Sequence, residues 1–170
     1  MVERYLVVDR LKFTYEGLFN LDELHNVISS FFYEKGYDWY EKMNQVTVTS
    51  SGKQMRIILE PWKNITDYYK LIISIKMNVI DLKDVDVQAG STVIKTSQGT
   101  LRVVFDGYVI SDRKNKWSEK PLYWFMSILF EKYFFKEHYR KAETWLKSDV
   151  EDLHNKIKTY LNSFTHAYGR

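Results

Sequence analysis

The sequence predicts an α+β fold, an antiparallel sheet of about six strands with one N-terminal helix and a long C-terminal helix or broken helix pair packed on it. Three observations predict it. From Tyr37 to Asp112 the apolar positions recur every second residue. Over residues 21–35 they recur instead at helical spacing, between a capping residue and Gly36. After Pro121 no Gly or Pro interrupts the chain until Gly169, and helical periodicity returns. The chain has 170 residues and is 45% hydrophobic, enough for a single domain over 1–170 with its own core.

The elements follow in order. In residues 5–15, Tyr5, Val7, Leu11, Phe13 and Tyr15 point one way and Arg10, Lys12, Thr14 and Glu16 the other, with Asp9 out of pattern. That predicts a strand with one buried face. Asn20 and Glu23 have the spacing that satisfies the free amides of a helix start, and Leu21, Leu24, Ile28 and Phe31 follow at helical spacing. Val46 and Val48 alternate with threonines, Ser50 to Lys53 is turn chemistry, and Met55, Ile57 and Leu59 continue as the partner strand. Tyr69, Leu71, Ile73, Ile75, Met77 and Val79 form the longest alternating set and predict a central strand with Lys70, Ser74, Lys76 and Asn78 on its other face. Segments 82–89 and 92–96 flank Gly90, and Leu101, Val103, Phe105 and Val109 alternate after Gly99.

The helical part, 119–164, changes character near Lys136. Residues 121–135 have almost no polar face, which predicts burial, whereas Leu146, Val150, Leu153, Ile157, Leu161 and Phe164 form a single stripe. An unbroken helix of that length would reach about 69 Å, against a diameter of about 40 Å for a spherical chain of this size. Either the helix breaks, or its end protrudes onto another chain. Ser148 and Glu151 repeat the capping spacing, and the sequence favours a break at 147–149. A protruding stripe would make Leu153, Ile157, Leu161 and Phe164 a partner-binding or self-association surface.

Much chemistry is excluded. With no cysteine there is no disulfide, thiolate metal site or thiol nucleophile. The four histidines show no local metal-ligand spacing, so no metal or cofactor is expected. Asp84 and Asp86 share a strand face, which suits a metal pair or, more simply, a solubilised edge. Phosphate-binding glycine loops and the nucleophile elbow are absent, so an enzyme is not the expectation. A net charge of +3 does not call for nucleic acid, and glutamates dilute the basic residues Arg113, Lys114, Lys116, Lys132, Lys136 and Arg140. The apolar run is too short to span a membrane. The opening MVERYLVVDR does not read as a signal peptide, so the expected location is cytoplasmic.

The order strand, helix, antiparallel meander, long helix resembles the START-like helix-grip fold, in which a curved sheet wraps the last helix. This chain departs from it in having one helix between the first two strands and a longer C-terminal helical region. The stretches RIILEPWKNITDYYKL and LRVVFDGYVISD are similar to small uncharacterised archaeal proteins. The helix-grip resemblance implies a non-enzymatic binding module with a sheet–helix cavity for a hydrophobic or aromatic small molecule. Its lining would be Leu71, Ile73, Ile75, Met77, Val103 and Phe105 on the sheet, with Trp124 and Phe125 on the helix. A closed core is lined identically. The alternative function is an interaction or structural subunit that docks through its C-terminal helix.

Overall fold

The computed structural model describes residues 3–111, 122, 125, 126, 129 and 136–168. Its elements are β1 (Glu3–Phe19), α1 (Leu21–Glu34), β2 (Glu41–Thr49), β3 (Gly52–Leu59), β4 (Trp62–Asn64), β5 (Lys70–Ala89), β6 (Thr92–Ser111) and a final helix, here α2 (Lys136–Tyr168). The strands form one six-stranded antiparallel sheet in the order β1-β6-β5-β3-β2, with β4 also paired to β5. The segments on either side of Asp81 and of Gly99 fuse into two strands of 20 residues each. Asp81 adopts φ 53° where the register shifts between Ile80 and Lys83, so a local bend lets each long strand continue.

The sheet has one apolar face. Tyr69, Leu71, Ile73, Ile75, Met77 and Val79 are buried there, as are Leu101, Val103, Phe105 and Val109 of β6. Across β1, Leu11, Phe13 and Tyr15 pair with Phe105, Val103 and Leu101 and extend the same face. The misfit at Asp9 is a bulge. Arg10 takes φ 47°, the register shifts between Val8 and Leu11, and the Arg10 amide donates to Asp106 Oδ1 at 3.0 Å. Lys76 Nζ donates to the other oxygen of this buried carboxylate at 2.8 Å. Absorbing an extra residue here returns Leu11, Phe13 and Tyr15 to the core side.

α2 runs 33 residues without interruption, so the expected break at 147–149 does not occur. At 1.5 Å per residue it is about 50 Å long. The spherical estimate failed because the sheet is elongated, a strand of 20 residues extending about 66 Å, and α2 lies along β1 from Tyr139 beside Tyr5 to Thr165 beside the Tyr15 hydroxyl. Ala142, Leu146, Val150, Leu153, Ile157 and Leu161 are essentially without exposure and join the sheet's apolar face in one core. Leu153, Ile157, Leu161 and Phe164 are therefore covered by their own chain, which corrects their assignment to a partner. Leu122, Phe125, Met126 and Leu129 are helical but exposed, Phe125 by 56%. The expected burial of Phe125 at the sheet–helix contact is corrected, and Trp124 lies outside the described residues.

At the far edge, β2 is exposed along its length, Val48 by 77%, despite its alternating sequence. Each fully buried aliphatic side chain of the α2 stripe contributes roughly 1.5–3 kcal/mol. Deleting residues 149–170 should therefore abolish cooperative unfolding in a denaturant titration, and Leu153→Ala alone should cost about 2–5 kcal/mol. A truncated chain that keeps a native melting transition would show that the stripe is dispensable to the core.

Candidate functional site

The inward residues Leu71, Ile73, Ile75, Met77, Val103 and Phe105 are at most 1% exposed and belong to the continuous core beneath α2. These side chains are closed off from solvent beneath α2. The sheet–helix interface opens at one end, where Leu71 borders a cleft of about 470 Å³ that is also lined by Lys35, Lys63, Asn64, Ile65, Trp145, Ser148 and Asp149.

Local backbone chemistry builds one wall. The Asn20 side chain accepts from the amides of Asp22 and Glu23 and starts α1, as the sequence indicates. Glu23 does not close a capping box but lies 3.2 Å from the Tyr160 hydroxyl of α2, which donates to it. At the other end Gly36 takes φ 74°, its amide donates to Tyr33 O, and the Tyr37 amide donates to Phe32 O at 2.8 Å. This left-handed stop brings the Phe32 and Tyr37 rings edge to face at 5.3 Å. It also places Lys35 and Tyr37 on either side of Gly36, both directed at α2.

There they meet Asp149, a carboxylate only 8% exposed within the apolar stripe. The Tyr37 hydroxyl donates to Asp149 Oδ2 at 2.9 Å, and Lys35 Nζ lies 3.1 Å from Oδ1 and 3.0 Å from Asp152 Oδ2. Hydrogen bonds to Asp152 and Asp149 hold the Lys35 ammonium above its ordinary pKa, against the opposing effect of desolvation. Burial, followed by the Asp149 charge and hydrogen bond, pushes the Tyr37 phenol far above its ordinary value. Near neutral pH the first is a fixed cation and the second a neutral donor. Neither has the free base or phenolate that nucleophilic catalysis requires.

Lys63 is different. Its ammonium donates to the Lys35 carbonyl at 2.7 Å and sits 5.4 Å from the Tyr37 ring centroid, yet has no carboxylate partner among the described residues. It shares the cleft with Ile65, Leu71 and the half-exposed indole of Trp145. The arrangement is an apolar, partly aromatic wall beside an ammonium whose contacts among the described residues are a backbone carbonyl and a ring.

Of the sheet residues expected to line a ligand cavity, the cleft includes only Leu71; the other five stay in the core. Sequence reasoning missed Lys35, Lys63, Trp145 and Asp149. The one available signal was the acid at 149 beside Val150, a polar residue within a buried stripe. The aspartates at 81–86 do not gather into a metal site. Asp84 pairs with Lys53 at 2.9 Å, and that bond pulls its pKa down, while Asp81 accepts from Ser51 Oγ at 2.8 Å. Among the described residues no group of three His, Asp or Glu could hold a metal, and no helix is long and apolar enough to cross a membrane. Arg113, Lys114, Lys116 and Lys132 lie outside the described residues.

No protein-family model matches the chain, and neither a curated protein nor a solved structure shows significant similarity to it.

Removing the carboxylate should leave the buried Tyr37 hydroxyl without its acceptor. Asp149→Ala is expected to lose about 1.5–3 kcal/mol, nearly all of it from the tyrosine, because Lys35 is more than a third exposed and solvent-screened. Alkali should act on the same network. Both folded-state pKa values are raised, so above the ordinary values of 10.0 for Tyr37 and 10.5 for Lys35 the unfolded chain holds fewer protons than the native one. Stability is then full below pH 10 and falls as pH rises. Urea midpoints measured across this range should drop more steeply for the wild type than for Tyr37→Phe, and parallel curves would refute the assignment.

Proposed function

We propose that the chain is a non-enzymatic binding module for a small aromatic molecule carrying an anionic group, bound at the open end of the sheet–helix interface. The observation that carries this reading is the Lys63 ammonium, which has no direct carboxylate partner among the described residues, in a cleft walled by Trp145, Ile65 and Leu71. The volume, about 470 Å³, lies within the range of small-molecule sites. Trp145 offers a face for an aromatic ring. Lys63 offers a charge-assisted hydrogen bond to a carboxylate or sulfonate. The Lys35–Tyr37–Asp149 network holds the wall rigid, which lowers the ordering cost of binding. Docking through Leu153, Ile157, Leu161 and Phe164 has no comparable support, since their own sheet covers them.

Fluorescence titration with anilinonaphthalene sulfonate, an aromatic anion, tests the reading on the full chain. Saturable binding is expected, weakened about fivefold to tenfold by Lys63→Ala and again by Trp145→Ala. The neutral analogue phenylnaphthylamine should be insensitive to Lys63→Ala but sensitive to Trp145→Ala. Equal binding of the anionic probe by wild type and both variants would overturn the proposal.

A further inference from the structure

The opposite face of the sheet carries a second site of different chemistry. In the observed register Gln45 pairs with Arg56, Arg56 with Asn78, Asn78 with Arg102 and Arg102 with Thr14. Directly paired residues share a face, so five polar side chains cross five strands in one row. Four of the five, with Thr47 and Gln54 from the neighbouring row, line a groove of about 350 Å³. The two arginines stand two strand spacings apart, about 9.6 Å, within the reach of side chains of their length.

Their charges are uncompensated. Three lysines elsewhere on this sheet meet carboxylates: Lys42 meets Glu60, Lys53 meets Asp84 and Lys76 meets Asp106. Neither Arg56 nor Arg102 has a carboxylate partner among the described residues. The position between them, where one Asp would serve both, is the neutral amide Asn78. Two like charges flanking one residue repel each other in the free protein, and a bound dianion removes that repulsion.

We propose that this groove binds the phosphoryl group of a small phosphate monoester, held between the Arg56 and Arg102 guanidiniums. Planar guanidiniums match tetrahedral phosphate oxygens in bidentate geometry. Two of them balance the charge of a monoester near neutral pH. Asn78, Gln45, Gln54 and Thr47 provide neutral donors around it. A nucleic-acid strand fits less well, because the groove has no aromatic side chain on which a base can stack.

The test is amide NMR of the intact protein at constant ionic strength, titrated separately with inorganic phosphate, glycerol phosphate and a short single-stranded RNA. Saturable shifts at the side-chain amides of Asn78, Gln45 and Gln54 are expected with glycerol phosphate below about 20 mM. Inorganic phosphate binding as tightly would mean that the phosphoryl group alone is recognised; weaker binding would mean that the organic part contributes. Both support the site. Asn78→Asp, which gives both arginines an internal partner, should weaken binding at least about tenfold without lowering the thermal midpoint, and Arg102→Ala should do the same. The proposal is overturned if the wild type shows no saturable shift, if Asn78→Asp and Arg102→Ala titrate like the wild type, or if RNA binds more tightly than the monoester.

Discussion

The apolar stripe of α2 and the inner face of the sheet leave water chiefly against each other, with α1 closing one end of the same core. Six stripe positions from Ala142 to Leu161 meet an apolar field drawn from β1, β5 and β6, and the joint burial far exceeds any single polar contact in the molecule. The rest of the structure accommodates this seam. Tyr139 meets Tyr5 and Tyr69 at one end of the seam and Thr165 meets the Tyr15 hydroxyl at the other, so α2 lies on β1 and on the halves of β5 and β6 that hold Leu71–Val79 and Leu101–Val109. Gly107 of β6 faces Val8 and Leu146, where an added Cβ would lie 3.2–3.3 Å from their side chains, so the helix can approach closely.

Long strands create a problem of phase. A strand that twists over 20 residues cannot keep its inward row in register with its neighbours unless it yields somewhere, and a single-residue slip would turn apolar side chains outward. The chain yields at Arg10 and at Asp81, both with positive φ, and secures each place with a side chain. Asp106 accepts from the Arg10 amide and from Lys76, and the Ser51 hydroxyl donates to the Asp81 carboxylate. These polar contacts lie outside the seam but preserve its alignment, so their contribution is larger than their isolated strengths indicate.

The two candidate sites are consequences of the same geometry. α2 lies on the middle of the inner face, and the cleft is at the end, where Lys35, Lys63, Trp145 and Asp149 line it. Because the inner face is apolar throughout, the outer face bears the polar residues of the same strands, and register aligns Arg56, Asn78 and Arg102 across it. The chemistry proposed for the first is aromatic with a single charge, and for the second polar with two.

The sequence by itself determined the local elements. The period of two in Tyr69–Val79 placed the buried row of β5, the Asn20 cap and Gly36 stop bounded α1, and the stripe from Leu146 to Phe164 identified the buried side of α2. Each is a property of a few neighbouring residues, set by sterics, capping and side-chain direction. The tertiary structure alone decided what that stripe would meet, and it chose the chain's own sheet over a partner. It also left Phe125 exposed. Lys35, Lys63, Trp145 and Asp149 are far apart in sequence, and Arg56, Asn78 and Arg102 align only through strand register. No local pattern encodes such neighbours: they follow from burying apolar surface summed over the whole chain, and a side chain's partner changes with every residue of register.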